Sequence, residues 1–435
     1  MKLKLLYVFV LFLFLAAGVV QSQTVNFRFG THFYSWQRYD SLSTTGNNTY
    51  TTHLRGYQNY LLEINKGKWS FNTLAQTEED VIKRVDRGFA YRFYNLYIKG
   101  TNLFDVLDLK LGRQFVSAGA GKGTIDGAYL KLKFGKEKQF QISGYGGYLT
   151  PWEYDFNKYP SLKDNFSLGG QLLFYGVKDL SLGLSYNLKH RKLDPYYAPR
   201  ADSLFYGRNV LIDVDSPADQ MIGFDMNYFD AKNNHNFFAK AYYDINRLRF
   251  SKGEFNVRFS VSNQLKFTAG YAYREPQLSY NTIFWVFDVQ KNQEIESGLD
   301  FSLKHNLNLF ARVSDVFYND GSSLKFQLGL SHSNFGLSFI KYTGYSGESD
   351  GAYAYFNKDV VKNLLAVTSS LNYSRYKISE YSADRINSFS GLLGLVYRPM
   401  PQLSFDLQGQ FLSNRIYTFD TRVLFGFNYW LFKKL

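Results

Sequence analysis

The sequence predicts an all-β chain closed into a transmembrane, antiparallel, up-and-down β-barrel. Three observations predict it. Apolar and polar residues alternate with period two through most of the chain, as in a strand with one greasy and one wet face. Short polar turns alternate with long loops, the layout of a barrel whose two ends face different compartments. Aromatic residues make up 19% of the chain, with 36 Tyr and 41 Phe. The mean hydropathy is nevertheless negative, at −0.29. A barrel reconciles the two, because every second strand residue faces water and the others face lipid.

Residues 1–22 read as a secretory signal peptide. Lys2 and Lys4 form a basic start, residues 5–20 an apolar core, and Val20 and Ser22 are small enough to precede cleavage. Residues 23–435 then form one barrel domain, since no shift of composition marks a second. The formal charge of the whole chain is +13, and loss of Lys2 and Lys4 lowers it only by two. Cysteine is absent, which excludes disulfides, thiol catalysis, thiolate metal sites and a lipoprotein anchor.

The barrel is organised around residues 106–134. Leu107, Leu109 and Leu111 alternate with Asp108 and Lys110; after a glycine-rich loop, Ala128, Leu130, Leu132 and Phe134 alternate with Tyr129, Lys131 and Lys133. Strict alternation puts Arg113 on the face of Leu111 and Asp126 on the face of Ala128. Each charge adjoins a glycine, Gly112 or Gly127, where a strand can bulge and shift phase. A bulge at each glycine is therefore expected to turn both charges to the polar, lumen face, paired with each other across the hairpin.

The same alternation recurs down the chain. Leu180, Leu182, Leu184, Tyr186 and Leu188 oppose Ser181, Gly183, Ser185, Asn187 and Lys189. Phe255, Val257 and Phe259 oppose Glu254, Asn256 and Arg258; Leu265, Phe267, Ala269, Tyr271 and Tyr273 oppose Lys266, Thr268, Gly270, Ala272 and Arg274. Leu403, Phe405 and Leu407 oppose Ser404, Asp406 and Gln408, and the last strand sends Val423, Phe425, Phe427, Tyr429 and Leu431 outward. Turns are expected at 66–68, 135–138, 178–179, 232–234, 263–264, 305–306, 333–334 and 399–402, and a weaker one at 358–362. Longer loops fall at 40–48, 78–87, 150–164, 192–218, 276–292 and 345–353. All eight prolines fall in these turns and loops, as they must if the rest is ladder. Both termini on one side require an even count, which these turns put at about 22 strands, with 18–20 as alternatives.

The words LGRQ (Leu111 to Gln114) and GTIDG (Gly123 to Gly127) resemble the signature hairpin of the alginate-export family of outer-membrane β-barrel porins. The resemblance covers about twenty residues of the chain. Phe115 and Ile125 stand where that family often has an acidic and an aromatic residue. It implies a porin of about 18 strands, outer-membrane lipid as the surrounding phase, and acidic polysaccharide as a solute class. The aromatic final strand suits the barrel-assembly machinery.

No enzyme chemistry stands out. AGAGKGT (residues 118–124) lacks the first glycine of a phosphate-binding loop, having Val116 there. The six histidines show no paired spacing, so no metal or other cofactor is expected. GYSGES (residues 344–349) is not a nucleophile elbow. Bases spread over many strands argue against nucleic acid. The polar faces collect Lys110, Arg113, Lys131, Lys133, Lys189, Arg191, Lys240, Arg258, Lys266, Arg274, Arg312, Lys325 and Arg422 against fewer acids, among them Asp126. Tyr129, Tyr145, Tyr175 and Tyr242 share those faces. A basic, water-filled lumen concentrates anions. The reading is a passive channel for small anionic or carbohydrate solutes in the outer membrane of a Gram-negative-type bacterium, its selectivity a diffuse positive field to which Arg258, Lys266 and Arg274 contribute together. The rival readings are a barrel acting through its loops as adhesin or scaffold, with residues 192–218 (Tyr196, Tyr197, Phe205) as the binding loop or an inward constriction, and an outer-membrane hydrolase.

Overall fold

The computed structural model describes residues 23–434, apart from 40–50, 83–87, 157–158, 160, 193–194, 202–206, 214–217, 277–289, 346, 378–383 and 416–417. Residues 1–22, expected to be a signal peptide, and Phe205 lie outside the described residues. The first strands are β1 (Gln23–Tyr39), β2 (Thr51–Lys66), β3 (Trp69–Ile82), β4 (Ala90–Leu103), β5 (Leu107–Ala118), β6 (Gly121–Phe134), β7 (Phe140–Leu149), β8 (Asn165–Val177) and β9 (Leu180–Arg191). A detached pair follows, β10 (Tyr196–Ala201) and β11 (Gly207–Ile212). The wall resumes with β12 (Asp219–Asp230), β13 (His235–Asp244), β14 (Arg249–Ser260), β15 (Leu265–Arg274), β16 (Asn292–Ser302), β17 (Asn308–Phe317), β18 (Ser322–Ser331) and β19 (Phe335–Gly344). It ends with β20 (Ser349–Val361), β21 (Leu365–Tyr376), β22 (Ile386–Met400), β23 (Leu403–Ser413) and β24 (Phe419–Lys434).

Each wall strand pairs antiparallel with its chain neighbours, β9 pairs with β12 across the detached hairpin, and β1 pairs with β24. The result is a closed sheet of 22 strands, as the turn pattern predicts. Closure leaves the wall without an edge strand. The connection from 192 to 218 carries the β10–β11 hairpin, which forms its own two-stranded sheet.

Alternation assigns the faces. Leu111, Leu130, Ile142, Leu184, Phe255, Ile295, Leu328, Leu393 and Phe425 are exposed and lie on the outer face of successive sectors of the wall. A soluble protein does not expose an unbroken apolar belt of this kind; it needs a lipid phase. The inner face carries the intervening polar residues.

Several expectations shift in detail, and the loops expected at 78–87 and 345–353 are shorter because β3 runs to Ile82 and β20 starts at Ser349. The turn expected at 358–362 lies further on, since β20 runs to Val361 and pairs through Val361 with Leu365. The turn expected to begin at 399 is shorter, because β22 continues to Met400. Two prolines accordingly sit inside strands. Pro399 lies where the β22–β23 register jumps from Tyr397 to Met400, so no ladder donor is lost there. Pro199 lies in β10, which among the described residues pairs with β11 alone.

Candidate functional site: a hairpin folded into the lumen

The tip of the β5–β6 hairpin leaves the wall. The Ala120 amide donates to Ser185 Oγ at 2.9 Å. Ser185 belongs to β9, three strands beyond β6. Strands in one sheet lie about 4.8 Å apart, so an in-plane tip would sit roughly 14 Å away. Ser185 and Asn187 alternate with the outward Leu184 and Tyr186, so the contact is made on the inner face. The tip therefore lies inside the barrel, against β7, β9 and β12.

A small core holds it there. Val116, Ala118, Ile125 and Tyr145 form a buried cluster, with Tyr129 packed against it. The Tyr145 hydroxyl, from the wall, donates to Asn187 Oδ1 at 2.7 Å. Covering explains why Ser143, Ser167, Ser185 and Asn187, inner-face residues of a barrel, are buried.

The fold begins at a row of glycines. Gly112 pairs with Gly127, and Gly127 with Gly147. Gly112 has φ +120°. A Cβ there would land on the Leu96 carbonyl oxygen, and one on Gly127 on the Gly146 carbonyl oxygen and 2.6 Å from Gly147 Cα. Neighbouring backbones approach where side chains are missing, and the sheet creases along that line.

The crease corrects the expected bulges. The β5–β6 ladder runs without a register shift from Leu107↔Leu132 to Ala118↔Gly121. Arg113 and Asp126 do face each other, but on the Leu111 and Ala128 side, where alternation puts them. What removes them from lipid is the hairpin's inward lean. Above Leu96 and Arg113, β4 and β5 no longer pair. The segment after β7 fills the slot, with the Phe93 amide donating to the Tyr154 carbonyl at 3.0 Å. The ladder pattern contained no sign of this backing.

Arg113 ties hairpin, β4 and that segment together. Its guanidinium donates to both Asp126 oxygens, at 2.7 and 3.0 Å. It also donates to the carbonyls of Phe93 (3.2 Å), Tyr154 (2.5 Å) and Asp155 (3.1 Å) and to the Tyr159 hydroxyl (2.5 Å). Phe156 lies against its face, 4.1 Å from ring centroid to Cζ. The Tyr159 hydroxyl in turn donates to Asp126 Oδ2 at 2.7 Å. Burial and the bond to Asp126 push that hydroxyl up to about 12, so it stays a donor at neutral pH. With the Arg113 side chain 1% exposed, it clamps the fold and is not open to a solute.

Most other lumen bases are paired. Lys131 and Lys133 share Asp108, at 3.5 and 2.8 Å. Arg258 and Arg312 share Asp300, at 3.6 and 2.6 Å. Arg274 and Lys325 share Glu294, at 3.4 and 4.0 Å. Lys240 meets Asp225 at 3.7 Å, and Arg422 meets Asp420 at 2.7 Å. Lys189 stands opposite Asp219, and Lys266 opposite Asp300, in the ladder. Arg191 stacks on Trp152 at 4.3 Å and donates to the Thr150 carbonyl. Lys110 differs: its ladder neighbours are Lys99 and Tyr129. Its ammonium lies 5.5 Å from the Tyr97 ring and 5.6 Å from the Tyr129 ring. In the sequence, Tyr97 and Lys99 alternate with Leu96 and Ile98, and that period-two pattern is the signal that marks them as inner-face residues. Among the described residues, no group of three or more His, Asp or Glu is placed to hold a metal ion.

No family model and no curated protein matches the chain. Solved structures do. OccAB3 of Acinetobacter baumannii is 10% identical, with a TM-score of 0.43, over 94% of this chain and 99% of that one. The translocation pore of the P pilus usher PapC is 9% identical, with a TM-score of 0.46, over 94% and 99%. OccK7 (OpdD) of Pseudomonas aeruginosa is 11% identical, with a TM-score of 0.44, over 94% and 99%.

Proposed function

We propose that the protein is a passive channel of the bacterial outer membrane for small anionic or carbohydrate solutes, narrowed by its own β5–β6 hairpin. One observation carries this reading. Charged side chains on the inner face are half exposed inside a closed barrel, Arg258 at 51% and Arg274 at 53%. Ions kept in that state need water around them, so the barrel is a wet conduit and not a packed core. The apolar outer belt supplies the lipid-facing half of the argument. The hairpin resemblance to alginate-export porins supports the porin reading; an acidic polysaccharide is the solute class it brings with it. Barrel-assembly machinery and outer-membrane lipid are the partners that insertion of such a barrel requires.

The test is reconstitution into a planar bilayer under a salt gradient. Ohmic conductance with a reversal potential favouring anions is expected. No conductance from protein that keeps its heat-modifiable gel mobility overturns the channel reading. A second reading then takes its place. The β10–β11 hairpin stands apart from the wall with Tyr197 at 72% and Leu211 at 52% exposed, an apolar surface fit for a loop-mediated partner.

A further inference from the structure

The positive charge of the lumen wall is not spread evenly. Across the ladder, most bases sit beside or opposite an acid, and Arg191 lies on the Trp152 ring. One row instead sets two bases against each other. Ser70, Lys99, Lys110 and Tyr129 follow one another on the inner face of β3, β4, β5 and β6. Two lysines are direct cross-strand partners, a like-charge pairing that repels. Neither has a carboxylate within 4.0 Å among the described residues. The adjacent carboxylate, Asp108, is already taken by Lys131 and Lys133 and by the Asn102 amide at 2.8 Å.

The surroundings make this row a recess. Immediately above it on the inner face is the crease, where Gly112, Gly127 and Gly147 contribute no side chains. The folded hairpin overhangs the crease, and Tyr129 touches both that core and Lys110. The Tyr97 and Tyr129 rings flank the Lys110 ammonium and offset its charge only in part.

We propose that Lys99 and Lys110 form an oxyanion site beneath the hairpin, which takes one carboxylate or phosphate group of a passing solute at a time. The proposal rests on the channel reading and sharpens it: anion preference comes from one saturable site and not from a diffuse field. An ammonium is a point charge that suits either group. A single anion between two opposed ammoniums relieves their repulsion, and the glycine row leaves it room. Tyr97 and Tyr129 supply hydroxyls and ring faces for the rest of the solute.

The test uses the full-length protein with two probes, inorganic phosphate and acetate. In detergent, phosphate binding is followed by phosphorus NMR line broadening, with acetate as competitor. In a bilayer, chloride current is followed as either oxyanion is added. Saturable binding and saturable reduction of the current are expected, both weakened about tenfold or more in the double variant Lys99→Gln, Lys110→Gln. Lys252→Gln, which removes a lysine already held by Glu254 at 2.8 Å, should stay within about twofold of wild type. Gel mobility confirms that each variant is folded. Displacement of phosphate by acetate shows that the site reads the oxyanion's charge. Binding in the double variant equal to wild type overturns the proposal, as does wild-type protein that binds neither probe. Binding that holds in a folded protein without conductance leaves the site standing and overturns only the channel.

Discussion

The sector β4–β7 and the sector β14–β17 are built from the same alternating strands, yet they end differently. In β14–β17 the wall is a plain ladder. Arg258, Asp300 and Arg312 cross it as an ion-pair chain, and Arg274 and Glu294 form another link. A Cβ added at Gly253 there would meet nothing closer than Tyr273 Cβ at 3.6 Å, an ordinary contact. In β4–β7 three glycines align, the sheet creases, and the hairpin above them enters the lumen under a buried arginine. Aligned glycines make a bend available, and the buried ion pair with its backing segment makes it hold. An exposed ladder pair does neither.

The largest contrast is expected from the arginines. Arg113→Ala strands the Asp126 carboxylate and frees three carbonyls, and should cost about 3–5 kcal/mol. Arg274→Ala, at an exposed pair, should cost about 0–1 kcal/mol. Denaturant-dependent loss of the heat-modifiable form measures both. Adding Asp126→Ala to Arg113→Ala should recover part of the loss, since no charge is then left alone. A double variant worse than the single would show that Asp126 is held by the Tyr159 and Thr150 hydroxyls, which donate to its Oδ2 at 2.7 and 3.5 Å, without need of Arg113.

The glycines come next. Gly127→Ala puts a methyl group against the backbone of β7, and should cost about 1–3 kcal/mol while releasing the hairpin. Gly253→Ala should stay within about 0.5 kcal/mol. Single-channel conductance adds a second readout: Gly127→Ala should conduct more than wild type, and Gly253→Ala the same. Equal conductance for all three would mean that the hairpin does not narrow the path.

The clamp also predicts a pH dependence with a definite sign. The Tyr159 hydroxyl is raised from its ordinary value of 10.0 to about 12 in the folded protein. A group raised in this way contributes stability that is fully present below its unfolded value and lost as pH rises through its folded one. The clamp should therefore hold through neutral pH and weaken between pH 10 and about 12. Conductance recorded across that range should rise in wild type. Tyr159→Phe, which has no proton to lose, should remove the step.

The smallest effect is expected on the plain wall. Neutralising Arg258, Lys266 and Arg274 together also frees Asp300 and Glu294 from part of their partners. The permeability ratio of anion to cation, read from the reversal potential, should move toward cations by about twofold or less, and less still at high salt. A larger shift than that of the Lys99 and Lys110 pair would return the preference to a diffuse field.

Period two is a local property, so the sequence by itself determined the strands, their faces and, through the alternation of turns and loops, a closed barrel of 22 of them. It also led to the pairing of Arg113 with Asp126 across the hairpin, which the ladder shows, although without the expected bulges. It did not determine where that hairpin goes. The crease depends on Gly147 lying beside Gly127, and the tip on Ser185 and Asn187 of a strand some sixty residues away. The shielding of Arg113 depends on Tyr154, Asp155, Phe156 and Tyr159, which local alternation cannot bring to it. The charges of the lumen were legible one by one; which of them cancel was not. Whether a lysine opposes an aspartate or another lysine is a matter of register between strands, and only the tertiary structure put Lys99 opposite Lys110.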